Sequence, residues 1–436
     1  MADSLPRIAF GRGSRLYDVD GKDYLDGSGG PAVYCIGHAH PEVNDAIKQQ
    51  LDRVAHGYRY LFTSDPLEQL TELVLRRSGP RMRRVLFTTG GSEAVESALK
   101  VALHYHSARG EPSRRRFIAR ARSWHGNTLG ALSISEFADR RAPFEGALIP
   151  ASHIGAVNAY RPPAGVTSGE LAQHAADELE AEIERLGAGT VAAFVFEPVV
   201  GAAGGVVAAP PGYAALVRAV CDRHHVLMVA DEVMCGAGRC GTWRALEHDG
   251  VVPDVMAVAK GLAAGYVPLG ATIYHDRIAD VLDPVGGPAS GHTFTGHTLA
   301  CAAGLAVQHV VERDRLVERV HDEGPRLLAM LRARLDDIEA VGDVRGRGFF
   351  VGIELVADRD TKEPFDPSLQ LHLGVRRHAL DRGLITYPMG GNVDGRRGDT
   401  VILAPPYNIT DSELDELVDK VDRAVRGALV EAGVAG

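Results

Sequence analysis

At 436 residues, 45% of them hydrophobic and 24% charged, the chain exceeds one ordinary core, and two or three subdomains are expected. A net charge of -10 with no basic block argues against nucleic acid as a partner. There is no apolar run of about 18 residues, and the start MADSLPRIAF lacks the apolar core of a signal peptide, so the expectation is no membrane span and a cytoplasmic location.

Near the start, GSRLYDVDGKDYLDGSGGPAVYCIGHAHPEV carries Asp20-Gly21, a hairpin turn signal between two short strands. His38 and His40 have no carboxylate or cysteine at a ligand spacing, and no metal is expected there. RRVLFTTGGSEAVESALKVAL reads as a strand, a glycine turn and a helix with an apolar face of Val95, Ala98, Leu99, Ala102 and Leu103. Gly91 and Ser92 open that helix, where free N–H groups and the helix dipole suit a phosphate. In ARSWHGNTLGALS, Trp124 offers a broad π-face and is followed by His125.

Three apolar strands then end on ionisable residues: VAAFVFE on Glu197, VLMVAD on Asp231 and DVMAVAK on Lys260. Strands alternate with helices, the mark of a mainly parallel sheet. In such a sheet the ligand crevice lies outside the carboxyl ends of the strands, so the three side chains should converge there. Desolvation depresses the pKa of a lysine in a crevice, which makes Lys260 a nucleophile suited to Schiff-base chemistry. GAGRCG, residues 236 to 241, matches the G-x-G-x-x-G pattern and raises an NAD-dependent dehydrogenase as an alternative. Asp231-Glu-Val-Met-Cys precedes the first glycine, however, where the pattern needs it immediately after the strand, and Thr242-Trp243 opens no clear helix.

Beyond position 298, TLACAAGLAVQHVVERDRLVERVHDEGPRLLAMLRARLDDI reads as one long helix bridging to a C-terminal part. YRPPAGVTSG at 160 to 169 and ADRDTKEPFDPS at 357 to 368 read as linkers. Five cysteines, an odd number, read as reduced thiols.

The series DEVMCGAGRCG, PD and KGLAAGYVPLGA, from Asp231 to Ala271, resembles the class III, or omega, aminotransferases, which use pyridoxal 5'-phosphate (PLP). The resemblance implies an α/β fold of PLP fold type I, with a large domain on a mainly parallel sheet and a smaller α+β domain from both termini. The implied divisions are 1–60 for the N-terminal arm and part of the small domain, 61–315 for the PLP-binding domain, and 316–436 for the C-terminal small domain. It also implies that Asp231 bonds the pyridinium nitrogen, that Val233 packs under the ring and that Lys260 carries the internal aldimine. Gly91 and Ser92 then resemble the family's phosphate cup, and Trp124-His125-Gly126 its aromatic-H-G triplet. Glu197 begins EPVVGAAGG, similar to E-P-V-Q-G with Val200 in place of the glutamine.

In the family the N-terminal loop lines the substrate pocket, which makes Ala32, Val33 and Tyr34 candidates. GHTFTGHTLACAAG resembles the element whose threonine, here Thr293, bonds the phosphate of the partner subunit's cofactor, with Thr298 where proline is usual. A homodimer, possibly a tetramer, is implied. VRGRGFFVGIEL and VILAPPYNIT match the small domain, but Val401 stands where several relatives carry an arginine, leaving Arg396 and Arg397 as substitutes for binding a substrate carboxylate. The implied reaction moves an amino group from an amine or amino acid to a keto acid or other carbonyl acceptor, pyruvate or 2-oxoglutarate being the family's usual acceptors. A PLP-dependent racemase, mutase or decarboxylase shares the same cofactor attachment.

Overall fold

The computed structural model describes residues 5–434; the first four residues, on which the expectation of no signal peptide partly rests, lie outside the described residues. Its centre is a seven-stranded sheet in the order Met82–Thr88, Gly270–His275, Val255–Val258, Leu227–Asp231, Val191–Phe196, Arg116–Arg120, Ala151–Ile154. The five strands from Val255–Val258 to Ala151–Ile154 are mutually parallel, and Gly270–His275 runs antiparallel to both neighbours. Val191–Phe196, Leu227–Asp231 and Val255–Val258 are buried at every residue, as continuous apolar runs require when helices cover both faces. Gly91–Ala108 and Asp276–Leu282 cover one face, and Leu171–Leu186 with Tyr213–His224 the other. The apolar stripe expected of the first helix is buried, except that Leu103 is half-exposed.

Both ends of the chain meet in a smaller α+β part. Strands Ile8–Arg12, Arg15–Asp18 and Asp23–Asp26 form a meander, with Gly21 at φ 86 in the expected turn, and Leu384–Ile385 adds in parallel to Asp23–Asp26. A second four-stranded sheet contains Val341–Arg347, Phe350–Leu355, Asp399–Leu403 and Tyr387–Gly390, with helices Leu371–Asp381 and Asp411–Glu431 packed nearby.

Three expectations need correction. The long helix is two, Thr298–Arg313 and Leu316–Leu335, because Arg315 adopts a left-handed φ of 52 that no helix continues through. Residues 160–169 lie between a strand and a helix of the large sheet's own layers, and 357–368 join two elements of the C-terminal part, so neither is a linker between domains. GAGRCG is a run of turns followed by the short 3₁₀ segment Ala245–Asp249, without the strand-to-helix turn that a dinucleotide loop needs. Its Arg239 is 1% exposed and donates from Nη1 to the carbonyls of Phe349 (3.2 Å) and Pro405 (2.5 Å), joining the large sheet's loops to the C-terminal part. All five cysteines are free and buried.

Candidate active site

Lys260, Asp231 and Glu197 follow or end three neighbouring strands, and all three line one cavity of about 400 Å³. Gly91, Ser92, Trp124, His125, Val233 and Val33 line it too. Lys260 sits at φ 45, a backbone strain of about 1–3 kcal/mol of the kind that clusters at functional sites. Burial lowers the pKa of its ammonium, with Asp231 and Glu197 opposing, so the free amine is within easier reach than for a solvated lysine.

Asp231 is 3% exposed, and its Oδ2 lies 2.8 Å from His125 Nδ1 while its Oδ1 accepts the Val233 N–H at 3.0 Å. Burial pulls the His125 pKa down, but the hydrogen bond and charge of Asp231, together with Glu197, outweigh it and raise it. His125 thus holds the carboxylate in place. Glu197 accepts the Trp124 N–H on Oε1 (2.9 Å) and the Gly201 N–H on Oε2 (2.8 Å). Burial, opposed by His125 and reinforced by Asp231, pushes its carboxyl up to about 7.

The Gly91–Ala108 helix opens directly onto the cavity. Its first N–H groups have no intrahelical acceptor, and they provide the anion site that a helix start offers. Ser92 Oγ accepts the Asn127 N–H at 2.9 Å, which ties the Trp124 loop to the cup. A Cβ on Gly91 would come within 2.6 Å of Val233 Cγ1, so glycine lets the cup close against the side chain expected under the ring. The donor set fits PLP: a lysine for the aldehyde, a buried carboxylate for the ring nitrogen and a helix start for the phosphate.

Other expected residues fall elsewhere. Ala32 does not line the cavity; at φ 62 its methyl turns into a core with Val199, Val206 and Met234, and Val33 takes the wall position. Tyr34 stands just behind the wall, where a Cβ on Gly265 would meet its ring at 2.5 Å. Arg396 and Arg397 are exposed and off the wall, and the Arg397 guanidinium is held by Asp394 (2.7 Å) and Glu363 (3.0 Å). Thr293 is exposed and does not reach the cavity of its own chain. The wall also includes Gly90, Ala202, Met234 and the stretch Val267–Leu269, which the sequence reading passed over. The signal for that stretch was the glycine-bearing run after Lys260.

A mainly parallel α/β sheet with this donor set at its strand ends defines a PLP-dependent enzyme of fold type I. The family model for class-III aminotransferases matches residues 5–425, and the chain belongs to that family. It is 39% identical over 423 residues to an uncharacterized aminotransferase of Bacillus subtilis (strain 168), covering 96% of this chain and 94% of that one. It is 35% identical to a diaminobutyrate--2-oxoglutarate transaminase of Halomonas elongata, covering 96% and 89%. Among solved structures it is similar to an amine transaminase from an uncultivated Pseudomonas species in the PLP-bound form, at 36% identity and a TM-score of 0.91 over 97% of this chain and 95% of that one. The protein is a PLP-dependent aminotransferase, and the dehydrogenase alternative falls with its loop.

Proposed function

We propose that Lys260 is the residue that bonds the cofactor's aldehyde and then carries the proton to and from the substrate's Cα. PLP, when bound, supplies the electron sink on which an amino group changes owner. The carrying observation is a desolvated lysine amine sharing one cavity with a buried, histidine-held carboxylate. Asp231 would hold the proton on the ring nitrogen, and His125 fixes Asp231 through the 2.8 Å contact. Gly91 and Ser92 would hold the phosphate, and Trp124 and Val233 would pack against the ring. Glu197 pins the Trp124 loop by its backbone N–H.

The substrates are an amine or amino acid donor and a keto acid acceptor such as pyruvate or 2-oxoglutarate. The names of the amine transaminase and of the 2-oxoglutarate-dependent relative support that pairing. The working unit is a cytoplasmic homodimer in which Thr293 serves the neighbouring subunit's phosphate. Support comes from exposed apolar side chains, Phe294 beside it at 53% exposed and, elsewhere on the surface, Leu61 at 73% and Phe62 at 64%. The division into 1–60, 61–315 and 316–436 belongs to the same reading. It is supported by the seven strands of the large sheet lying between Met82 and His275 and by the pairing of Leu384–Ile385 with Asp23–Asp26.

The test is chemical. Borohydride reduction of cofactor-supplied protein, followed by peptide mapping, should leave the pyridoxyl group on Lys260 Nζ. Labelling of a different lysine overturns the assignment.

A further inference from the structure

We propose that a second chamber beside the cofactor cavity receives the far end of the amine substrate, and that this end carries a neutral amide, such as an N-acyl group. The proposal rests on the reading of Lys260 as the reacting amine. The chamber has a volume of about 70 Å³, several times the roughly 10–15 Å³ that one water needs. It lies at the carboxyl ends of Val191–Phe196, Arg116–Arg120 and Ala151–Ile154, the strands that continue the sheet beyond those of Lys260 and Asp231. Glu197 borders both spaces. Neighbouring strands are about 4.8 Å apart, so a substrate running along the strand ends from Lys260 reaches Glu197 after about 10 Å and then enters the chamber.

The walls favour a methylene stem with a polar tip. Val157, Phe196, Val200 and Val207 supply apolar surface, and Val200 stands where the resemblance places a glutamine. Asn392, on the wall and 3% exposed, has no hydrogen-bond partner for either its Oδ1 or its Nδ2 among the described residues. Arg161, also on the wall, has an Nη2 without a hydrogen-bond partner among the described residues. Buried amide groups are rarely left without partners, and those that are point to a missing occupant. Two donors and one acceptor complement an amide, whose carbonyl accepts from the donors and whose N–H donates to Asn392 Oδ1.

Charge separates this from a carboxylate. Arg120 pairs with Glu178 (3.4 Å), Arg122 with Glu136 (2.8 Å) and Arg161 with Glu354 (2.7 Å). Each guanidinium on the wall already has its counter-ion, and a substrate carboxylate would meet no free one.

The experiment uses holoenzyme with pyruvate and three donors of comparable length: N-acetylcadaverine, octylamine and aminocaprylate. The wild type should prefer N-acetylcadaverine in kcat/KM by at least about tenfold, chiefly through KM. Asn392→Leu, which removes the amide, and Val200→Phe, which fills the chamber from another lining position, should each erase that preference by raising KM for N-acetylcadaverine. A defect of folding would lower all three donors in proportion and leave the preference standing. Equal use of the three donors, or preference for aminocaprylate, overturns the amide. Preference that survives both substitutions overturns the chamber. These failures leave Lys260 labelled by borohydride, whereas failure of the Lys260 reading moves the label and removes this proposal with it.

Discussion

Single side chains carry most of the proposed chemistry. As proposed, Asp231 would keep the cofactor's ring nitrogen protonated, a role that would matter most as electron density moves into the ring in the transition state. Asp231→Ala is therefore expected to slow the donor half-reaction by about 10²-fold, or about 2.7 kcal/mol, followed by stopped-flow absorbance; an unimpaired rate refutes the role. Glu197 gives a prediction about pH. Its folded carboxyl titrates at about 7 against an ordinary 4.5, so in that window the native state holds the proton and the unfolded chain has lost it. The stability that Glu197 contributes is therefore lost as pH rises from 4.5 to about 7. Glu197→Gln should flatten that fall, measured as urea unfolding midpoints across the window; an unchanged slope overturns the buried-acid reading. Lys260, Asp231 and Glu197 were legible as residues because each ends an apolar run. Ala32 was not, since a left-handed turn decides which neighbour faces the cavity.

At the scale of elements, the helix Gly91–Ala108 does two things at once. Its apolar stripe packs on the sheet, and its first turn faces the cavity. Gly91 joins those roles, because a Cβ there meets Val233 at 2.6 Å. Gly91→Ala should weaken cofactor affinity by about tenfold, close to 1.4 kcal/mol, while the thermal midpoint of the cofactor-free protein changes little. Fluorescence titration with PLP reads the first, and a midpoint loss without an affinity loss would make the contact merely structural. The helix and its glycine turn were readable from periodicity. The break at Arg315 was not, because the apolar pattern continues through it and only packing holds an exposed arginine in the left-handed region.

For the whole molecule, the proposed phosphate site takes a further donor, Thr293, from a second copy of the chain. Thr293 is exposed beside the exposed Phe294, and a two-fold dimer would offer that surface to its own copy. Mixing inactive Lys260→Ala protein with cofactor-weakened Thr293→Ala protein tests this. In a heterodimer one site collects both lesions and the other neither, so activity should recover toward one intact site per dimer. No recovery despite demonstrated subunit exchange, or a fully active monomer, would confine Thr293 to its own chain.

The sequence by itself determined the fold class, the three strand-end residues, the glycine turn that opens the helix Gly91–Ala108 and the aminotransferase family, because each is written in a short local pattern. Tertiary structure alone decided what those residues touch. His125 reaches Asp231 across 106 positions of sequence, and Arg239 leaves a dinucleotide-like run to join distant carbonyls. Arg397 spends its guanidinium on Asp394 and Glu363, and Asn392 comes from the C-terminal part to the wall of a chamber beyond Glu197. Periodicity records which face of an element is apolar; which elements then meet depends on packing between segments far apart in the chain, and no local pattern encodes that.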